Sequence, residues 1–167
     1  NLLTGSTLQL TNSRITTSGN GGQAVVAVGS GLINIENTVI TTTGNYQSGG
    51  AYGLHIANGS SGNLAGSQIK TSGSSSGAIF VETTNNAATT FVINDTILET
   101  AGDASIALAA SELNGVGSST VTLNGNNQIK TENGTGVSAR GVGGKIIINA
   151  GTTITTKGTG VQATLNG

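Results

Sequence analysis

The sequence predicts an all-β chain wound into a right-handed parallel β-helix, a solenoid of about six coils of 25–31 residues with three short strands in each. Three observations carry this. The chain combines many β-branched residues with 28 Gly and no Pro or Cys in 167 residues; the first group favours strands and Gly with Asn favours turns. One short block recurs six times at similar spacing. Each copy stands between two further segments that read as strands, a repeat signature of a solenoid.

The block is aliphatic, any residue, Thr, any residue, then Gly or Asn. Its copies start at Ile15, Ile40, Ile69, Leu98, Ile129 and Ile154, at spacings of 25, 29, 29, 31 and 25 residues. Upstream lies an alternating strand: Leu8 and Leu10, Ile33 and Ile35, Phe91 and Ile93, Val121 and Leu123, Ile146 and Ile148, with a weaker Gly62 and Leu64 in the third coil. A corner follows at Asn12, Asn37, Gly66, Asp95, Asn126 and Gly151. Downstream is a third strand, usually opened by Gly: Gly53-Leu54-His55-Ile56, Gly77-Ala78-Ile79-Phe80, Gly136-Val137-Ser138-Ala139 and Gly160-Val161-Gln162-Ala163. Looser versions run from Ala24 to Val28 and from Ser105 to Leu108. Alternation of period two turns one face of each strand inward. No stretch shows helical spacing with caps. One coil buries too few aliphatic side chains to offset the entropy of ordering it, so the coils must stack. Residues 1–167 form a single β-helix domain on this reading.

Stacking turns the repeat into columns about 4.8 Å apart. The aliphatic column Ile15, Ile40, Ile69, Leu98, Ile129, Ile154 is expected to point inward, and the next, Thr16, Thr41, Lys70, Glu99, Lys130, Thr155, outward. Cross-coil ion pairs are expected in Lys70–Glu99–Lys130 and between Glu132 and Lys157, each worth well under 1 kcal/mol if exposed. The Thr column from Thr17 to Thr156 is expected to face inward, its hydroxyls bonded along the stack or to backbone. Variable coil length falls in the turns Asn45–Ala51, Thr83–Thr89 and Ala110–Ser119, where insertions are tolerated.

The composition excludes some classes of function. Charged residues are 8% of the chain, six of them Lys or Arg, and the net charge is −1, which argues against nucleic acid. No apolar run reaches the ~18 residues of a membrane helix. No signal peptide is seen, and the chain starts at Asn1, so it reads as an internal fragment. Both ends of such a stack are expected to expose unpaired strand edges. The seven acids are Glu36, Glu82, Asp95, Glu99, Asp103, Glu112 and Glu132. No two share a column on adjacent coils, whereas glycoside hydrolysis needs a carboxylate pair. His55, the one histidine, lies between inward Leu54 and Ile56 and is expected to face solvent. It has no Cys or acid cluster with which to hold a metal. Thr columns of an ice-binding face would not be interrupted by Lys70, Glu99 and Lys130. No catalytic, cofactor-binding or metal-ligating set is assigned, no cofactor is expected, and the chain is not read as an enzyme.

The strand, Asn/Gly corner, aliphatic-x-Thr-x-Gly and Gly-led third strand, carried best by Asn12 to Gly19 and Gln128 to Ala139, resemble the pertactin-like passenger domain of autotransporters. The likeness covers nearly the whole chain. It implies an extracellular passenger, displayed on or released from a Gram-negative outer membrane after translocation by a C-terminal β-barrel that this chain lacks. It also implies a role in virulence: adhesion to a host cell-surface or matrix protein, or self-association. A second reading is a released effector acting on a host-cell receptor. A third, from another class, is a β-helix carbohydrate-active enzyme. Partner-binding candidates are Tyr46 in the first long turn, Tyr52 and His55; an exposed Tyr is a usual anchor. The plainer alternative for both tyrosines is that they cover a turn or the end of the helix.

Overall fold

The computed structural model describes residues 5–47 and 50–164. Among these residues the chain forms 18 strands and no helix. The first coil holds β1 (Thr7–Thr11), β2 (Arg14–Thr17) and β3 (Val25–Val28); the second β4 (Leu32–Glu36), β5 (Val39–Thr42) and β6 (Tyr52–Ala57); the third β7 (Ser61–Ala65), β8 (Gln68–Thr71) and β9 (Gly77–Thr83). The fourth holds β10 (Ala88–Asn94), β11 (Ile97–Thr100) and β12 (Ile106–Glu112); the fifth β13 (Ser118–Asn124), β14 (Gln128–Thr131) and β15 (Thr135–Arg140); the sixth β16 (Gly144–Ile148), β17 (Thr153–Thr156) and β18 (Val161–Thr164). Every third strand joins the same sheet, giving three six-stranded sheets. All pairing within them is parallel. The chain is a parallel β-solenoid, with sheets one, two and three beginning at β1, β2 and β3.

Sheet two shows why the fold forms. Its register places Ile15, Ile40, Ile69, Leu98, Ile129 and Ile154 in one row. The four central members are fully buried, while Ile15 and Ile154 pack partly exposed against the same core. Each end coil has a neighbour on one side only, and Ile148, aligned with buried Leu123, is 40% exposed for that reason. In sheet one, Gly62 pairs with Phe91, the largest fully buried side chain. The weak third coil therefore carries its smallest inward residue beside the bulkiest.

The corner after sheet one turns on left-handed residues. Asn12, Asn37, Gly66, Asp95 and Gly151 have φ between 47° and 99°. In the fifth coil the position moves: Gly125 has φ 70° and Asn126 does not share it, a shift that a longer coil allows. Behind the corner runs a polar ladder that the repeat had not revealed, formed by Ser13, Thr38, Ser67, Thr96, Asn127 and Thr152. The Thr38, Ser67 and Thr96 hydroxyls each donate to a carbonyl two residues back, at 2.8–2.9 Å, and accept the backbone N–H of the preceding coil, at 3.0–3.5 Å. Asn127 continues the ladder, accepting from Thr96 N at 3.0 Å and reaching Thr152 Oγ1 at 3.4 Å. These bonds satisfy backbone donors that a tight turn would otherwise bury unpaired.

The block's glycine has a different cause. A Cβ on Gly73 would lie 1.9 Å from the Gly44 carbonyl oxygen, and one on Gly44 2.0 Å from that of Gly19. Glycine here permits backbone-to-backbone approach between coils. In the fifth coil Gly134, not Asn133 of the block, makes this contact, 1.9 Å from the Ser105 carbonyl oxygen and under Gly158.

Several expectations are corrected. Thr42, Thr71, Thr100 and Thr131 are buried as expected, but the hydroxyls of the first three have no hydrogen-bond partner. Bonding along the column occurs at Thr131, whose Oγ1 bonds Thr156 Oγ1 and the Gly134 carbonyl, and Thr17 Oγ1 donates to the Gly22 carbonyl. Glu132 and Lys157 form no ion pair within 4.0 Å among the described residues, because both follow the last residue of their strands, where no ladder aligns side chains. The turns are shorter than drawn. β9 runs to Thr83 and β10 starts at Ala88, while β12 runs to Glu112 and β13 starts at Ser118. Within Asn45–Ala51, Ser48 and Gly49 lie outside the described residues.

The third strand also slips. Alignment by leading glycine matches Gly53 to Gly77, whereas Gly77 pairs with Tyr52 and Leu54 with Ile79. Pairing in sheet three passes over Gly53, Ala78 and Ala107. Ala78 and Ala107 are fully buried, as are Leu54 and Leu108 beside them. A Cβ on Gly53 would strike the core residue Ile69. Two successive residues thus turn inward and break the period of two, which carries Phe80 to the outer face.

Candidate functional site

The break in alternation builds the candidate site. Tyr52 and His55 are three residues apart, and the doubled inward step at Gly53-Leu54 sets both on the outer face of sheet three. Phe80 follows from the next coil, in register with His55. The Tyr52 and Phe80 rings stack at 4.9 Å and 25°, with the His55 ring 5.8 Å from the first and 5.6 Å from the second. The Tyr52 ring also lies over Gly77, whose Cβ would come 3.1 Å from it. Tyr52 therefore covers a glycine that opens the neighbouring strand.

His55 does not stand free in solvent. Its Nε2 lies 2.8 Å from Glu82 Oε1 and its Nδ1 3.3 Å from Gln23 Oε1, and the His55 and Glu82 side chains are each 15% exposed. The imidazole points outward as the alternation implied, but aromatic neighbours and polar partners on adjacent coils cover it.

These groups flank a surface groove of about 560 Å³. Tyr46 and Ser75, from the turns before sheet three, edge one side; Glu82, Leu113 and Arg140 edge the other; Tyr52, Phe80, Ile106 and Ala109 form the floor. The register explains the hollow. Phe80, Ala109 and Ser138 align on successive coils, so two small residues lie between an aromatic ring and Arg140. Glu82, Ser111 and Arg140 align likewise, so the backbones that carry the acid and the guanidinium stand two rungs apart, roughly 9–10 Å. Arg140 Nε donates to Ser138 Oγ at 3.0 Å, and no carboxylate among the described residues pairs with the guanidinium. Burial in this cluster, aided by Tyr46 and Glu82, pushes the Tyr52 phenol up to about 12 despite the opposing charge of Arg140.

The groove's far edge is held in place from below. Glu112 is 2% exposed, and its Oε1 accepts the backbone N–H groups of Asn114 at 2.6 Å and Val116 at 3.1 Å. A buried carboxylate bonded to two amides fixes the 113–117 turn. That turn and its neighbour on the next coil expose Leu113 (46%), Val116 (46%) and Val142 (79%).

A second trough of about 540 Å³ crosses the outer face of sheet two, along Lys70, Glu99 and Lys130. Glu99 meets Lys70 at 3.0 Å and Lys130 at 3.9 Å, the two expected pairs. Within this column the charges answer one another, Glu99 standing between the two lysines.

Sequence reasoning named Tyr46, Tyr52 and His55, and all three belong to one region: both tyrosines line the groove, and His55 sits beside it against Tyr52 and Phe80. It missed Phe80, Glu82 and Arg140. The available signal was rarity: in a chain with two Phe, two Tyr and one His, most of these residues fall on one wall. No protein family, curated protein or solved structure matches the chain.

Proposed function

We propose that this solenoid is an extracellular autotransporter-type passenger that works as a rigid scaffold and adhesin, binding a host-cell or matrix ligand through the groove of sheet three. One observation carries the reading: aromatic rings, an acid and a guanidinium with no carboxylate partner among the described residues gather around one groove. Loops and edges on a rigid frame are usual sites of recognition, and exposed Tyr with Arg are the usual anchors. A passenger role is supported by the parallel solenoid and by the absence of Cys, which suits a chain translocated unfolded. Binding rather than catalysis is favoured because the groove edge holds one carboxylate, Glu82, where acid–base glycoside hydrolysis needs two.

The test is binding of the purified, labelled chain to cultured host epithelial cells and immobilised matrix. Saturable binding is expected, with loss of roughly 30-fold or more in affinity when Tyr46→Ser and Arg140→Gln are combined, since truncated anchors cost about 1–2 kcal/mol each. Absence of binding, or binding that the double variant leaves unchanged, would sink the reading. So would turnover of a polysaccharide by the isolated chain.

A further inference from the structure

We infer that the groove of sheet three takes a saccharide unit bearing a single carboxylate, a uronate or another acidic sugar. This rests on the reading of the groove as the adhesive site and names its ligand class.

Main-chain recognition is closed. β6, β9, β12 and β15 are paired on both sides within sheet three, so their N–H and C=O groups are engaged in the coil-to-coil ladder. An extended peptide binds a sheet by adding to a free edge, and the groove lies on a face. Its ligand must be read by side chains alone. Those present are Phe80 and Tyr52 with the apolar surface of Ile106 and Ala109, then one acid and one guanidinium. A pyranose matches this set: its C–H face lies on the rings, and its hydroxyls donate to the oxygen of Glu82 that His55 does not use.

The charge balance fixes the remaining group. Arg140 spends Nε on Ser138 and has no carboxylate partner among the described residues. Its Nη edge is a planar fork suited to a carboxylate. No lysine lines the groove, and Glu82 stands two rungs away, so a dianion gains one cation and meets one repelling acid. A monoanion is the better fit. The Arg140 and Glu82 backbones, two rungs or roughly 9–10 Å apart, frame a stretch the length of one to two sugar units.

The experiment is titration calorimetry of the chain with two matched pairs of probes: trigalacturonate against its methyl ester, and sialyllactose against lactose. The expected result is that at least one acid binds roughly tenfold or more tighter than its uncharged partner, the range for a charge-assisted hydrogen bond. Arg140→Gln should remove that preference while leaving the chain folded, with a cooperative melt only slightly lowered by loss of the Ser138 bond. Phe80→Leu should weaken acidic and neutral sugars alike. Equal affinity within both pairs, an acid preference that survives Arg140→Gln, or no binding of any probe would overturn the inference. Cell binding separates this from the broader reading: groove-dependent adhesion that the acidic probes do not compete removes the sugar assignment alone, whereas absent adhesion removes the adhesin.

Discussion

The outer faces of sheets two and three are built on the same inner wall and differ in almost everything else. On sheet two the described strands are all four residues long, and the aliphatic row and the outward Lys–Glu–Lys column predicted from the block hold, down to both ion pairs of Glu99. On sheet three the strands run from four to seven residues, pairing skips a residue at the corner, and aromatic and charged groups from three coils meet in a groove. The difference teaches that a uniform strand makes a flat, self-neutralised face, while a break in alternation gathers distant side chains. Function is read here from where the repeat fails.

The inner wall gives the largest expected effects. Ile69→Asp should cost more than about 4 kcal/mol, because a carboxylate would lie unpaired in a fully buried row. Thr41→Lys, in the next column of sheet two, should stay within about 0.5 kcal/mol. Urea melts that matched would mean that the inner and outer faces are assigned wrongly. Gly73→Ala follows at about 3 kcal/mol, since its Cβ meets backbone at 1.9 Å and no side chain can move aside. Gly19→Ala, at the same place in the first coil with nothing within 4 Å, should cost about 0.5 kcal/mol or less. That pair separates contact between coils from glycine's backbone freedom.

On sheet three the sharpest handle is alkaline pH. Tyr52 titrates near 12 in the folded chain and near 10 unfolded. Between those values the native state holds a proton that the unfolded state has lost, so stability falls as pH rises through the window. The melting temperature should be level with respect to this group below pH 10 and decline from about 10 to 12. Tyr52→Phe should abolish that part of the decline. An unchanged alkaline profile in the variant would show that the ring is not buried in the cluster and that the groove floor is misplaced.

These contrasts also mark what the sequence could tell. The anchor row, the outward Lys–Glu–Lys column and the corner were legible because they recur, and recurrence at a fixed offset is what stacking requires. The ladder of Ser13, Thr38, Ser67, Thr96, Asn127 and Thr152 recurs as well, but its hydroxyls and amide hide among a Ser-, Thr- and Asn-rich chain. The groove does not recur. Phe80 stands alone in its column as a phenylalanine, Glu82 and Arg140 share a column with Ser111 between them, and the inward step at Gly53-Leu54 shifts the count. Leading glycines aligned the third strands one residue out because glycine serves two purposes here: backbone approach in one coil and shelter for the Tyr52 ring in another.

A smaller effect probes the buried threonines. Thr71 Oγ1 has no partner, so Thr71→Val should stabilise by about 1 kcal/mol, the cost of an unsatisfied hydroxyl. Thr131→Val should destabilise by a similar amount, because that hydroxyl bonds Gly134 and Thr156. If both substitutions destabilise alike in calorimetric melts, the Thr71 hydroxyl has a partner and the inner side of sheet two is less plain than its register.

The smallest effect tests whether sheet two's outer face is as inert as it looks. Glu99 is 29% exposed and each lysine 50%, so water screens both pairs. Glu99→Gln leaves Lys70 and Lys130 two rungs apart, roughly 9–10 Å, beyond the Debye length of about 8 Å at physiological salt. Their repulsion is then weak, and the loss should be below about 1 kcal/mol. It should grow when salt is lowered to about 0.01 M, where the screening length reaches about 30 Å, and vanish near 1 M. A larger cost that salt does not change would require a role for Glu99 other than charge. The trough beside it would then become a site in its own right, and the contrast between a silent face and a recognising one would collapse.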